Sequence, residues 1–385
     1  MLRGNRCRIY PKKEQKIVLE KHFGSCRFVY NKLLNIRSAL YKQFKIHISK
    51  VCLDNHLLVL KETYNWLGEV NSQSLQQANK DLDTAFQRFF KNLGGYPNKK
   101  SKKYNHFSFQ VPQHYKINLS TSEIFLPKIG WIKVKMHRKL IDPSSFDGDI
   151  LEKDYNSEMF RTLTVSKTPT GKYYVSILTD DLTDNPPVME YSHATIVGVD
   201  VGIKTFAALS TGEKIDHPKF LKSSLQRLKC LQRRVSRKVL GSNNRRKAVR
   251  KLALIHEKIS NQRHDFQHKV STKLISENQA IAVETLNVCG MMRNHKLAQA
   301  IGDSAWSSFV LKLTYKAEQF GKTILKIGMF EPSSKNCNVC GYHNSELTLI
   351  DRDWKCPECN AEHDRDINAA INIKKFALIT AGIAG

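Results

Sequence analysis

Cys337 and Cys340, then fifteen residues, then Cys356 and Cys359, give two Cys-x2-Cys pairs. With each pair on its own turn, the spacing fits four thiolates around one tetrahedral Zn2+. Four sulfurs close the coordination shell, so the ion is expected to hold structure together and to leave no vacancy for His343 or His363 close by. A redox dithiol is the competing reading, although it needs only one such pair. The second pair opens the stretch CPECNAEHDRDINAAINI at 356–373, which runs through two aspartates into a helix-like tail. That continuation raises a second kind of metal chemistry.

Hard oxygen ligands come from three separate places. In IVGVDVG an apolar strand ends on Asp200, with Gly202 behind it where a bulky side chain would obstruct a phosphate. A second apolar run, QAIAVETLN, ends on Glu284. In HDRDINAAINI, Asp366, Ala370 and Ile373 fall at i, i+4 and i+7, so Asp366 shares the apolar stripe of a helix and faces a sheet. Asp364 lies about 200° round the same helix and is better placed as its N-cap. Buried acids brought together repel and protonate unless a cation holds them, and Mg2+ or Mn2+ suits such oxygens. Two such ions could activate a water and stabilise the leaving oxygen of a phosphodiester. Taken singly, each acid has a plainer reading. Asp-x-Gly after a strand also occurs in sugar-kinase and actin-like ATPases, and a lone strand-terminal Glu is more often a solvated cap. Together, Asp on a first strand, Glu on a later strand and Asp on a final helix predict a ribonuclease H-like nuclease core.

Positioning these groups takes a multidomain frame, and 385 residues provide for two to four domains. Over 11–95 the apolar rhythm is helical: Ile17, Val18 and Phe28 follow Pro11, and Leu75, Ala78, Leu82, Ala85 and Phe89 repeat at three and four. The basic loop NKKSKKYN, with Lys99, Lys100, Lys102 and Lys103, ends that region. Short alternating runs then predict strands over 105–185, a small antiparallel barrel or sandwich; GWIKVKMH sets Trp131, Lys133 and Lys135 against Ile132, Val134 and Met136, and RTLTVSKTPTGKYYVSIL reads as two strands around a turn. Exposed lysines and tyrosines there suit a phosphate backbone or plain solvent. The polar DDLTDNPPVMEYSH reads as a linker to a final α/β domain.

Lys and Arg outnumber Asp and Glu by 62 to 35, and the net charge of +27 points to polyanions. Its spread over several segments favours nucleic acid over a membrane surface. About half of it lies in 219–269, where sixteen Lys/Arg face only Glu257 and Asp265. Leu221, Leu225, Leu228, Leu231 and Val235, then GSNN, then Val249, Leu252, Ile255 and Ile259 predict a helical hairpin. Its nearly single-sign face carries Arg233, Arg234, Arg237, Lys238, Arg245, Arg246, Lys247, Arg250 and Lys251, which suits phosphates better than solvation alone. The remaining cysteines, Cys7, Cys26, Cys52, Cys230 and Cys289, read as free and mostly packed thiols. Neither a signal-peptide pattern nor an apolar run of roughly 20 residues is present, so a soluble, cytoplasmic protein is expected.

The segments RIYPKKEQ, FGSCRFVYNKLL, LPKIGWIKVKMHR, VGVDVGIKTFAALSTG, ETLNVCGMMRNHKLAQAIGDSAW and CNVCGYHNSELTLIDRDWKCPECNAEHDRDINAAINI follow one another over most of the chain. In this order they resemble the TnpB family, RNA-guided nucleases of bacterial and archaeal insertion sequences related to the type V CRISPR effectors. The resemblance implies a multidomain α+β protein: a wedge β-barrel from 1–10 and 105–190, a helical recognition domain inserted at 11–104, and a RuvC-like nuclease domain over 191–385. Into that last domain are set the basic hairpin 219–269 and a zinc ribbon 333–362. By the same resemblance Asp200, Glu284 and Asp366 are catalytic and hold two Mg2+ or Mn2+ ions beside the structural Zn2+. It further implies a guide RNA from the element's end and a double-stranded DNA target next to a short motif, with base pairing reading the sequence and protein holding the heteroduplex. A monomer is expected. One departure is Glu331, which precedes PSSK where members often carry Phe or Tyr. Two further readings remain: a nuclease-silent DNA-binding regulator, against which the complete triad argues, and a transposase acting on its own element's ends without RNA.

Overall fold

The computed structural model describes residues 2–104, 107–137, 150–152, 160–180, 184–329, 331–348 and 350–382. Two compact units divide the chain, Met1–Asp184 and Asn185–Gly385.

In the first unit, β1 (Leu2–Tyr10) leads into helices α1 (Lys13–Phe44), α2 (Lys50–Thr63) and α3 (Ser72–Phe90). Strands β2 (Phe107–Val111), β3 (Lys116–Asn118), β4 (Glu123–Leu126), β5 (Gly130–Lys135), β6 (Ile150–Glu152), β7 (Phe160–Lys167) and β8 (Tyr173–Asp180) follow. All eight strands form one antiparallel sheet in the order β2-β7-β8-β1-β5-β4-β3-β6. Among the described residues the ends of this strand order are β2 and β6. Residues 1, 105–106, 138–149, 153–159 and 181–183 of the expected barrel lie outside the described residues. Helices and sheet share one core: Leu19, Phe23, Leu33 and Leu82 pack with Ile9, Phe109, Ile132 and Val175.

Two helical stripes differ in detail from the expectation. On α1 the buried face includes Leu19, Phe23, Cys26, Tyr30 and Leu33 at 4-3-4-3 spacing, flanked by buried His22, Ser25, Val29 and Leu34, and it leaves Ile17 exposed. On α3 the stripe runs Leu75, Ala78, Leu82, Phe86, so Ala85 and Phe89 sit at its margin. Alternation on β5 is as expected, with Ile132 and Val134 inward and Trp131 outward.

The second unit is α/β. Strands β9 (Ile196–Val201), β10 (Thr205–Leu209) and β11 (Lys214–Asp216) precede α4 (Phe220–Ser236) and α5 (Asn243–Glu277). Then come β12 (Ala280–Glu284), α6 (Val288–Met291), α7 (Ala298–Ser304), α8 (Trp306–Gln319), β13 (Thr323–Ile327), β14 (Asp353–Lys355), β15 (Glu362–Asp364) and α9 (Arg365–Thr380). The main sheet has the order β11-β10-β9-β12-β13, with β9, β12 and β13 parallel. Period-two alternation sorts its two faces. Val197, Val199, Ile281 and Val283 meet Leu274, Phe309 and Leu313 of α5 and α8, whereas Ile196, Ala280 and Ala282 meet Ile373, Ala377 and Leu378 of α9. Burial on both faces explains the continuous apolar runs of these strands.

Helices α4 and α5 form the basic hairpin on a short seam of Leu228, Ile255 and Ile259; Val249 stays exposed. Ser242 caps α5 by accepting from the Arg245 amide at 3.1 Å. Of the five scattered cysteines only Cys7 and Cys26 are buried; Cys52, Cys230 and Cys289 are exposed, contrary to the expectation, because they fall outside the apolar stripes of their helices. Among the described residues no helix is long and apolar enough to cross a membrane.

Candidate functional site

Three acids converge on one face of the second sheet. Parallel register pairs Val283 with Val199, so one step further Glu284 stands level with Asp200 on the neighbouring strand. By alternation both carboxylates share the face of Ile196, Gly198, Ala280 and Ala282, which is the face covered by α9. Asp366 lies in the first turn of α9, with Ala370 and Ile373 of its stripe fully buried against the sheet. Asp364 Oδ1 caps this helix by accepting from the amides of Asp366 and Ile367, each at 3.1 Å, and its other oxygen pairs with Lys214.

Close approach of α9 depends on Gly198. A Cβ there would lie 2.0 Å from the Ala370 carbonyl oxygen, a backbone atom that cannot swing aside. Gly202, expected to clear space for a phosphate, has a nearer reason to be glycine. Its Cβ would meet the Thr205 carbonyl at 2.8 Å, within the turn in which the Gly202 amide bonds Phe206 O.

Burial pushes the Asp200 carboxyl up to about 8, Glu284 and Asp366 push in the same direction, and Arg365 and Arg352 pull back. Burial also raises Glu284, against which a hydrogen bond from the Ser333 hydroxyl works. Asp366 accepts from Arg352 at 3.0 Å and lies 3.5 Å from Arg365. Asp200 feels the charge of both Glu284 and Asp366, and carboxylate oxygens are the donors that hard divalent cations take, although among the described residues only the four cysteines already stand close enough together to enclose an ion.

The four cysteines also come together, with all their sulfurs within 4.8 Å of one another. Cys337–Cys359 and Cys340–Cys356 separations are 3.6 and 3.5 Å. Disulfides would need about 2.05 Å, whereas a tetrahedron of ~2.3 Å Zn–S bonds places sulfurs about 3.8 Å apart. The set fits zinc. His363 Nε2 lies 3.1 Å from the Cys337 sulfur as an outer partner, and His343 turns to Asn336 at 2.6 Å. Against the effect of burial, the Cys340 and Val339 amides and the His363 ring bring the Cys337 thiol down to about 6, towards the thiolate a metal takes.

Periodicity could not reveal the groups that join the two sites. Asn368 and Asn372, buried at i and i+4 on α9, both donate to Asn336 O, at 2.8 and 2.6 Å, and Asn372 also donates to Ser333 O at 2.8 Å. Lys375 reaches Asn338 O. Paired buried asparagines one turn apart were the available sequence signal.

The expected cationic residues divide. Arg245 is partly buried and donates to Val235 O and Lys238 O at 2.7 and 3.0 Å, closing the hairpin turn, which takes it away from the solvent-facing set. Arg233, Arg234, Arg237, Lys238, Arg246, Lys247, Arg250 and Lys251 are exposed. Between α4 and α5 a groove of about 570 Å³ has an apolar floor of Leu231 and Ile255 and a rim of Arg227, Arg234, Lys251 and Lys258. In the first unit Lys99, Lys102 and Lys103 are exposed, while the Lys100 ammonium lies 4.2 Å over the Tyr30 ring and 3.6 Å from Asp81.

Residues 183–295 match a family described as a probable transposase of the OrfB type, 306–373 match the Cas12f1-like TNB domain, and 1–45 match a helix-turn-helix domain. Over 1–45 the structure has β1 and the single long α1 in place of two helices. A Streptomyces pristinaespiralis protein named as a candidate RNA-guided DNA endonuclease is 37% identical over 385 residues, covering 99% of this chain and 90% of that one. The similarly named InsQ of Escherichia coli K12 is 28% identical, covering 97% and 91%. Among solved structures, a Cas12f1–sgRNA–target DNA complex aligns with a TM-score of 0.49 at 14% identity, over 97% of this chain and 98% of that one.

Proposed function

This chain belongs to the TnpB family, and on that premise we propose that it is an RNA-guided DNA endonuclease of a transposable element. The observation that carries the proposal is the convergence of Asp200, Glu284 and Asp366 on one sheet face beneath α9. In this reading the second unit is a RuvC-like nuclease with an inserted zinc ribbon, and the first is a wedge sheet with a helical recognition part. Asp200, Glu284 and Asp366 would hold two Mg2+ or Mn2+ ions; bound there, such ions supply an activated water and stabilise the leaving oxygen of the phosphodiester.

The chain's own residues prepare that site. Asp200 and Glu284 are fixed by adjacent parallel strands, and Asp366 is set above them by a capped helix whose seat is Gly198. Arg352 and Arg365 offset part of the negative charge at Asp366. The four cysteines would hold Zn2+, and the segment that carries them is fastened to α9 through Asn336. Exposed cations of the hairpin contact RNA or heteroduplex phosphates, a sequence-independent role.

The deciding experiment expresses the protein with the flanking DNA of its own locus and sequences the RNA that co-purifies. A plasmid target matched to that RNA, beside a randomised flank, is then exposed to the particle with and without Mg2+. Cleavage is expected to require RNA, flank, Mg2+ and Asp200, with Asp200→Ala sparing target binding. Tight binding without cutting would establish a regulator instead, and activity on the element's ends without RNA would establish a transposase.

A further inference from the structure

We propose that Ser333 is a positioning residue for the acid site, the hydroxyl that aims Glu284 and ties it to the helix carrying Asp366. The inference rests on the reading that these acids bind divalent ions. Ser333 lies in PSSK, at the start of the ribbon segment 333–362, and is 5% exposed. Its Oγ donates to Glu284 Oε1, and its carbonyl accepts from Asn372 Nδ2 at 2.8 Å. Its own amide donates to Glu331 O at 2.8 Å in a tight turn. Asn372 is 3% exposed and lies on α9, six residues beyond Asp366. Two residues therefore bridge the end of β12 to α9 by hydrogen bonds.

The need for such a bridge follows from the side chain. Glutamate has one more rotatable bond than aspartate, and at a strand end it can turn its carboxylate away from its neighbours. A fixed donor on one oxygen selects a single orientation and leaves the other oxygen for a cation, which is how outer hydrogen bonds tune metal sites. The same serine stands at the base of the four-cysteine loop. Asn336 O, held by Asn368 and Asn372, is the next anchor before Cys337. Ribbon, α9 and Glu284 thus share one buried polar network, and Ser333 is its link to the acids.

Mn2+ titrated into the full-length, zinc-loaded chain, with free Mn2+ read by electron paramagnetic resonance, tests this. Glu284→Gln identifies the binding that belongs to the acids. Ser333→Ala is expected to weaken that binding about tenfold, while Ser333→Thr, which keeps the donor, stays near wild type. Zinc content should remain unchanged. In parallel, the Mg2+ needed for half-maximal cleavage should rise by the same factor, with the full rate recovered at high Mg2+. Wild-type Mn2+ affinity in Ser333→Ala would overturn the inference. If Ser333→Ala loses zinc or its cooperative melt, Asn372→Ala replaces it, with binding about threefold weaker expected and unchanged binding overturning the inference. A wild-type chain without Glu284-dependent Mn2+ binding would instead overturn the divalent-ion reading and this inference with it.

Discussion

Asp200 is the residue on which the electrostatics of the second unit concentrate. Burial, then Glu284 and Asp366, raise its carboxyl to about 8, against about 3.9 in an unfolded chain. The folded, metal-free protein therefore binds a proton that the unfolded chain has released between those values, so this group costs stability as pH rises through that window. Asp200→Asn removes the effect. Its thermal midpoint without divalent ions should exceed the wild-type value, and the gap should widen from pH 6 to pH 8.5 to several degrees. Equal gaps at both pH values, measured by calorimetry in a metal-free buffer that leaves zinc in place, would show that burial and the neighbouring acids do not raise the Asp200 carboxyl as described. Added Mg2+ should narrow the gap by stabilising only the wild type.

At the scale of elements, the seat of α9 on β9 makes the site. Gly198→Ala forces a Cβ to within 2.0 Å of Ala370 O, so the helix must lift and carry Asp366 with it. Misplacement on that order can cost about 100-fold, and the variant should cut at least that much more slowly, with a lowered thermal midpoint, while still binding RNA. Cleavage at the wild-type rate would mean that α9 does not set the position of Asp366. Asp200, Glu284 and Asp366 stood out in the sequence because each closes or shares an apolar pattern, and patterns of period two or 3.6 are local. Gly198 lay inside the same motif, yet its meaning depends on a backbone atom 172 positions away. Ser333, Arg352 and the two asparagines were hidden for a related reason. Their hydrogen bonds join separate elements, and even the i, i+4 spacing of the two asparagines does not say which atoms they reach. Helix faces failed where an apolar residue such as Ile17 lay beside a stripe, since composition does not say which of two adjacent residues faces in.

Across the whole molecule, a charge of +27 makes association with nucleic acid dependent on salt. The structure separates cations that face solvent from those that hold the fold. Replacing Arg233, Arg234 and Arg237 together by Gln should reduce the slope of log affinity against log salt for guide RNA by about two to three, with the melting midpoint unchanged. An unchanged slope would remove the hairpin from the RNA contacts. Gly198 has one further consequence, for inheritance. A single base change converts a glycine codon to an alanine codon, so a lineage that no longer gains from cutting can fall silent there while all three acids persist. Counting acids would then misjudge such a descendant. What sits opposite Ala370 would tell a working cutter from one that has retired.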